Sequence, residues 1–312
     1  MGGAPRALRA VNEFDSLPPP AMARKAEEAG CFKARMSAAN TFALAVLAGA
    51  FIAMGAIFAT TITAGGASLP YGVSRLLSGL AFSLGLILVV VAGAELFTGN
   101  NLIVMAWAGR KVSTVRVLRN WAIVYAGNFA GAIATAGLLF VGKQYTFGKG
   151  AVGEQALQIA TTKTGLGFVQ AIALGAFCNA LVCLAVWLTY SARTVADKIL
   201  AIVPPIAAFV AAGFEHSVAN MFFIPMGLLV KGDSAFVAQH PVAGVAHLTW
   251  GRFFAANLLP VTIGNVIGGA AMVGAIYWFI YLRDEEEADV DTSGNQRLRA
   301  PRPRGVPRRV RV

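Results

Sequence analysis

Stretches of 18 or more residues almost free of charge recur along this chain. At 1.5 Å of rise per residue, each is long enough to carry a helix across the ~30 Å hydrocarbon layer of a bilayer. No other property narrows the fold as much, because lipid offers no partner for backbone N–H and C=O groups and a helix bonds them within itself. Six spans are expected, at about 41–63, 76–108, 117–141, 165–190, 199–230 and 253–282, the second and fifth of them interrupted. Loop material separates them, for example Ala64-Gly65-Gly66, Arg110-Lys111 and Lys231-Gly232-Asp233. Only 13% of residues are charged, about half of what a soluble domain carries. The reading is an all-α membrane protein.

Residues 1–37 are polar and prolyl, with no apolar core of a signal peptide, so the first span acts as its own insertion signal. They are taken as a cytoplasmic N-terminal segment, 38–283 as a transmembrane channel domain, and 284–312 as a disordered cytoplasmic tail. Residues 13–36 read either as an amphipathic helix at the cytoplasmic mouth or as an interfacial anchor. Lys and Arg orient such a protein, accumulating on the cytoplasmic side. Of 26, the two termini and the loops after spans two and four hold 20, which puts both termini in the cytoplasm. The same distribution accounts for a net charge of +11 without a nucleic-acid partner. The arginine-rich tail suits a lipid surface.

The halves of the chain echo each other. Glu95 and Asn100 in span two match Glu215 and Asn220 in span five. Gly127, Asn128 and Gly131 in span three match Gly264, Asn265 and Gly268 in span six, and Ala48 to Phe51 resembles Leu174 to Phe177. Three spans per half make the second half enter the membrane upside down, a 3+3 inverted repeat whose transport path lies near the midplane at broken helices. The breaks fall at Glu95 to Asn101 and at Gly213 to Ser217, where Gly and Asn are poor helix-interior residues.

Charge inside a membrane is expensive and needs a partner or a task. Glu95 and Glu215 are the acids within spans, and the expectation is that each accepts backbone N–H bonds from the loop that breaks its helix. Asn100 and Asn220 are expected to cap the half-helices that follow, and Asn128 and Asn265 to cross-link helices. His216 stands beside a Glu in one break, opposite Thr98 in the other, and its imidazole can donate, accept or shuttle a proton. Thr98 can satisfy one of its nitrogens. Cys31, Cys178 and Cys183 have neither disulfide nor metal spacing. No HExxH, GxSxG or Cys/His cluster is present, so no enzyme, metal or cofactor is expected, and paired Asn-Pro-Ala loops of a water pore are absent.

At these residues the chain resembles the formate/nitrite transporter family, and within it the formate-channel branch. The likeness covers about 13–283. It is carried by Pro20 to Ala23 leading to Ala26 through Gly30, by Phe82 to Leu88, Leu96-Phe97-Thr98, Gly213 to Phe222, and Val261 to Asn265. The chain departs from that branch at Gly99-Asn100, where the branch reads Ser-Thr. The resemblance implies a homopentamer of aquaporin-like protomers in the inner membrane, one pore in each. It implies apolar constrictions flanking the histidine, with Phe82 on one side and Leu86 and Phe209 on the other. Thr98 would lie in the loop gating the cytoplasmic side, Lys163 at the outer vestibule, and Asn179 would face the pore. The expected activity is formate movement, proton-coupled or pH-gated through His216. Nitrite, hydrosulfide or another small monovalent anion, and passive anion conduction, are the alternatives.

Overall fold

A computed structural model describes residues 15–66 and 69–284. Arg6, Arg9 and the tail beyond Asp284 lie outside the described residues. Among the described residues all regular structure is helical. The helices are α1 (Pro19–Arg35), α2 (Ala38–Thr63), α3 (Tyr71–Ala92), α4 (Val104–Ala108, continuing a 3-10 turn at Gly99–Ile103), α5 (Thr114–Val141) and α6 (Ala151–Thr164). They are followed by α7 (Phe168–Ser191), α8 (Val195–Ala212), α9 (Ser217–Lys231), α10 (Ser234–Gln239) and α11 (Trp250–Tyr281). Six of these, α2, α3, α5, α7, α8 and α11, are long and apolar enough to cross a membrane. The expected boundaries hold to within a few residues at most ends; α3 begins five residues earlier than expected, at Tyr71. Large apolar side chains such as Phe42, Leu47, Met54 and Phe58 stand exposed along α2, as suits a surface that meets lipid rather than water.

Local chemistry sets the ends. Ser37 caps α2, accepting from Asn40 N at 3.3 Å, and Thr194 caps α8, accepting from Asp197 N at 3.1 Å. Helices α3 and α8 both stop at a glycine with positive φ, Gly93 at 81° and Gly213 at 78°. That left-handed turn costs a glycine little and any other residue more. Each lets the chain leave the helix axis at once, with Ala94 N bonded to Val89 O and Phe214 N to Phe209 O. Helix α6 was not foreseen, although Val152, Ala156, Leu157 and Ala160 are buried at helical spacing and pack it on α9.

Small residues bring two helix pairs into backbone contact. A Cβ on Gly131 of α5 would lie 2.0 Å from the Val46 carbonyl of α2, and one on Gly268 of α11 would lie 2.0 Å from the Ala176 carbonyl of α7. Backbone cannot yield as a side-chain tip can, so Gly131→Ala and Gly268→Ala are each expected to lower stability by roughly 1–3 kcal/mol or more. Gly137, also in α5, has nothing within 4 Å of such a Cβ. Gly137→Ala should stabilise slightly, by about 0.5–1 kcal/mol. Thermal unfolding in detergent checks all three, and a loss at Gly137 equal to the other two would refute the packing argument.

Candidate functional site

The chain leaves α3 at Gly93 and α8 at Gly213, runs without helix through Thr98 and His216, and re-enters helical structure at Gly99 and Ser217. Both loops are pinned the same way. Glu95 N bonds Leu44 O of α2 at 3.2 Å, and Glu215 N bonds Leu174 O of α7 at 3.3 Å. Asn128 takes Phe97 N on its oxygen and gives its amide to the carbonyls of Ala45 and Glu95, at 2.8–2.9 Å. Asn265 takes Ser217 N and gives its amide to the carbonyls of Gly175 and Glu215, all at 2.9 Å. Each asparagine therefore cross-links two helices and a loop, satisfying backbone groups that lipid could not.

The two glutamates have other partners than expected. Glu95 accepts from Lys33 Nζ at 2.6 Å and from Asn100 Nδ2 at 2.6 Å. Glu215 accepts from Lys163 Nζ at 2.8 Å and from Asn220 Nδ2 at 2.7 Å. Neither carboxylate takes a backbone N–H, because a lysine in the last turn of α1 or α6 reaches it first. Likewise Asn100 and Asn220 do not cap the helical segments that begin at Gly99 and Ser217, whose N-cap positions are Thr98 and His216. They bridge each Glu to a further Asn: Asn100 Nδ2 to Asn120 Oδ1 at 3.0 Å, and Asn220 Nδ2 to Asn257 Oδ1 at 2.7 Å. The loop closes when Asn120 and Asn257 donate to the carbonyls of Lys33 and Lys163. The same Lys-Glu-Asn-Asn ring thus occurs twice. Lys33, Asn120 and Asn257 were not foreseen. The signal for Lys33 was a lysine four residues before each N-cap, at 33 before 37 and at 163 before 167; that for Asn120 and Asn257 was an asparagine eight residues before Asn128 and Asn265. The rings differ in two bonds. Lys33 also reaches Asn100 Oδ1 at 3.0 Å, whereas Asn220 Oδ1 has no partner among the described residues and Lys163 stands 5.6 Å above the Phe223 ring; and Asn257 Nδ2 also reaches Glu215 Oε2 at 3.3 Å, a bond Asn120 does not make to Glu95.

The actual cap of α9 is His216. Its Nδ1 accepts from Ala219 N at 3.0 Å, and its Nε2 lies 2.8 Å from Thr98 Oγ1. Both residues are buried. An Nδ1 that accepts an N–H carries no proton, so the neutral ring has its hydrogen on Nε2 and donates it to Thr98, as inferred from the bonding pattern. The Thr98 hydroxyl is then free to donate onward. The N-terminal ends of α9 and of the 99–108 segment meet at this pair, and both supply positive potential there.

Two cavities lie near the pair, one with His216 in its lining and the other with Leu96 and Gly99 on either side of Thr98 in sequence. One, of about 430 Å³, lies beneath α1 and is lined by Leu86, Val89, Leu96, Asn100 and Lys33 among others. The other, of about 70 Å³, is lined by Phe82, Phe209, Phe214, Lys163, Arg75 and His216 among others. No residue lines both. The expected split of the constrictions is thereby corrected. Phe82 and Phe209 pack edge to face at 5.8 Å in the smaller cavity, and Leu86 faces the larger one. Phe82 and Leu86 are four residues apart on α3, about 6 Å along the helix axis, far enough for neighbours on one face to line different cavities.

Asn179 is absent from the lining of both cavities; its amide bonds Asn101 Oδ1 at 2.8 Å, Asn265 O at 2.6 Å and the Thr98 carbonyl at 3.3 Å. Cys183 donates to the Thr98 carbonyl at 3.3 Å. Lys163 does line the smaller cavity, but as Glu215's partner, its side chain only 16% exposed. Arg75, a second cation there, was not foreseen. It donates to the Ala211 carbonyl at 3.3 Å and to that of Val210, both in the last turn of α8. Among the described residues no cluster of His, Cys, Asp and Glu could hold a metal.

The family described as formate/nitrite transporter matches residues 20–279. The formate channel FocA of Escherichia coli K12 is 45% identical over 284 residues, 89% of this chain and 99% of that protein. The formate channel FocA of Haemophilus influenzae is 40% identical over 259 residues, 82% of this chain and 91% of that one. A solved pentameric formate channel with formate bound superposes with a TM-score of 0.74 at 45% identity, covering 79% of this chain and 98% of that one. These relatives are channels, not enzymes. The chain belongs to the formate/nitrite transporter family.

Proposed function

We propose that this protein is a channel or transporter for formate, working as a homopentamer in the inner membrane with both termini cytoplasmic and one pathway through each protomer. In this reading 38–283 is the channel domain, α1 lies at the cytoplasmic mouth, and the cavity beneath α1 is the cytoplasmic vestibule. The two halves are an aquaporin-like inverted repeat, and α3 with α4, and α8 with α9, are its broken helices. The repeated Lys-Glu-Asn-Asn ring and the matched roles of Asn128 and Asn265 support that reading. The substrate comes from the relatives, since the formate channels match over most of their length.

The observation that carries the mechanism is the Thr98–His216 bond between two cavities that share no residue. An anion arriving through the outer cavity meets Lys163 and Arg75, then the phenylalanines Phe82 and Phe209. Taking an unpaired carboxylate through such a passage costs far more than neutralising it. A small carboxylic acid has a pKa near ~4, so protonating it at pH 7 costs about 3 units, or ~4 kcal/mol. The anion therefore takes a proton at the Thr98–His216 pair and crosses as the neutral acid. The Thr98 hydroxyl, polarised by the Nε2–H of His216, points a donor at it. Charging His216 would place an Nδ1–H against the Ala219 N–H, so proton transfer is tied to movement at the start of α9.

Competitive uptake tests the substrate. In proteoliposomes loaded with labelled formate outside, unlabelled formate is expected to compete at about tenfold lower concentration than nitrite, hydrosulfide or lactate. A stronger competitor among the other three would transfer the assignment to that anion.

A further inference from the structure

The two cavities differ in size and in charge balance. About 70 Å³ on one side holds an ion of a few atoms. About 430 Å³ beneath α1 falls within the roughly 300–1,000 Å³ range of pockets that enclose organic ligands. Glu95 is the acid lining the larger cavity, and it is already paired with Lys33. Two more cations line it, Lys25 of α1 and Lys198 in the second turn of α8. Lys25 Nζ donates to the Tyr190 carbonyl at 3.0 Å and to no carboxylate. Lys198 makes no hydrogen bond through its ammonium among the described residues.

Arg193 stands beside them on the α7–α8 connection, its Nε on the Asp15 carbonyl at 2.7 Å. The acid nearest to it in sequence, Asp197, four residues on, is committed to the backbone N–H groups of Arg193 and Thr194, at 3.1 and 2.9 Å. The three cations feel one another. Burial, and then the charges of Arg193 and Lys198, hold the Lys25 ammonium below the usual lysine range. Cations that repel at the mouth of a cavity favour an anion with more than one charge, because it relieves the repulsion of all three at once. Lysine binds phosphate as a point charge and arginine as a two-pronged fork.

We propose that Lys25, Lys198 and Arg193 form a binding site for a phosphate-bearing anion at the α1-side mouth of each protomer. Such an anion joins α1, through Lys25, to the α7–α8 connection. It holds α1 across the mouth of the larger cavity and obstructs it. A soluble phosphorylated compound and a phospholipid headgroup both carry this chemistry.

Pyrophosphate is the probe, titrated calorimetrically at low salt into the full-length protein in a nonionic detergent. One site per protomer is expected. Lys25→Ala with Lys198→Ala should weaken it by about tenfold or more. Lys198→Ala alone should weaken it measurably, and it disturbs no hydrogen bond that the fold uses. Lys25→Arg with Lys198→Arg should retain it. Binding unchanged in the alanine variants, or displacement by acetate as effective as by pyrophosphate, would overturn the site. Repetition in nanodiscs assigns the source. Phosphatidylglycerol competing where phosphatidylcholine does not identifies a headgroup, and equal affinity in both identifies a soluble anion. The titration contains no formate, so its failure would leave the transport reading standing.

Discussion

In proteoliposomes, His216→Phe is expected to lose most formate uptake, and His216→Asn is expected to keep a folded channel whose uptake no longer follows a proton gradient. Phenylalanine removes two bonds at once. The Ala219 N–H loses its cap and the Thr98 hydroxyl loses its donor, both buried in the protein. A buried polar group left unpaired costs about 1–3 kcal/mol. Some 3 kcal/mol lost from the arrangement that presents Thr98 to the substrate corresponds to roughly a hundredfold in rate. Asparagine is a good N-cap and can still bond Thr98, but it does not titrate between pH 5 and 8 as histidine does. The pair of variants therefore separates architecture from proton chemistry. Labelled formate and an internal pH dye, read together, check it. If His216→Asn moved formate and protons in the wild-type ratio, the histidine would have no part in the coupling. If wild type moved charge with formate at every pH, passive anion conduction would replace the proposed mechanism.

Lys163→Met is expected to be the most destabilising single change among the ring residues. The Glu215 side chain is 6% exposed and its carboxylate would keep only amide donors, from Asn220 and Asn257. Removing one partner of a buried ion pair typically costs 3–5 kcal/mol, because the other charge remains in a low dielectric. The 16% exposure of Lys163 puts the expected loss near the lower end, about 3 kcal/mol. Lys33→Met should cost less, since Lys33 is 27% exposed and water can screen Glu95 in its absence. Adding Glu215→Gln to Lys163→Met removes the stranded charge and keeps an acceptor for both asparagines, so the double variant should recover most of the loss. Thermal midpoints of the two single variants and the double variant decide it. A double variant no more stable than Lys163→Met alone would show that the charge on Glu215 is not what the lysine offsets.

The same two ring residues show what could be read in advance. Glu95 and Glu215 stand out in the sequence because lipid tolerates few acids, and each lies in the non-helical stretch that follows a long apolar helix. Their partners did not stand out. Lys33 is 62 residues from Glu95 and Lys163 is 52 residues from Glu215, and nothing local ties either lysine to a glutamate. Helix α6, which carries Lys163, was hidden by its position in a polar connection, although its buried residues have helical spacing. Asn128 and Asn265 were legible as cross-links because each lies between glycines that only a close helix crossing explains. Asn179 is assigned to the pore on a likeness alone, and its amide contacts with Thr98, Asn101 and Asn265 were not legible in the sequence.

By itself, then, the sequence determined the number of spans, where two of them stop, and which histidine and threonine sit at the stops. The reason is that a bilayer imposes a length on every apolar run and a penalty on every polar residue within it, and both are written locally in the chain. The tertiary structure alone decided that Thr98 and His216 touch, that Phe82 and Phe209 share one cavity while Leu86 faces the other, and that lysines from α1 and α6 neutralise the two buried glutamates. Those are contacts between residues dozens to more than a hundred positions apart, and they depend on how closely helices cross, which a one-dimensional pattern does not contain.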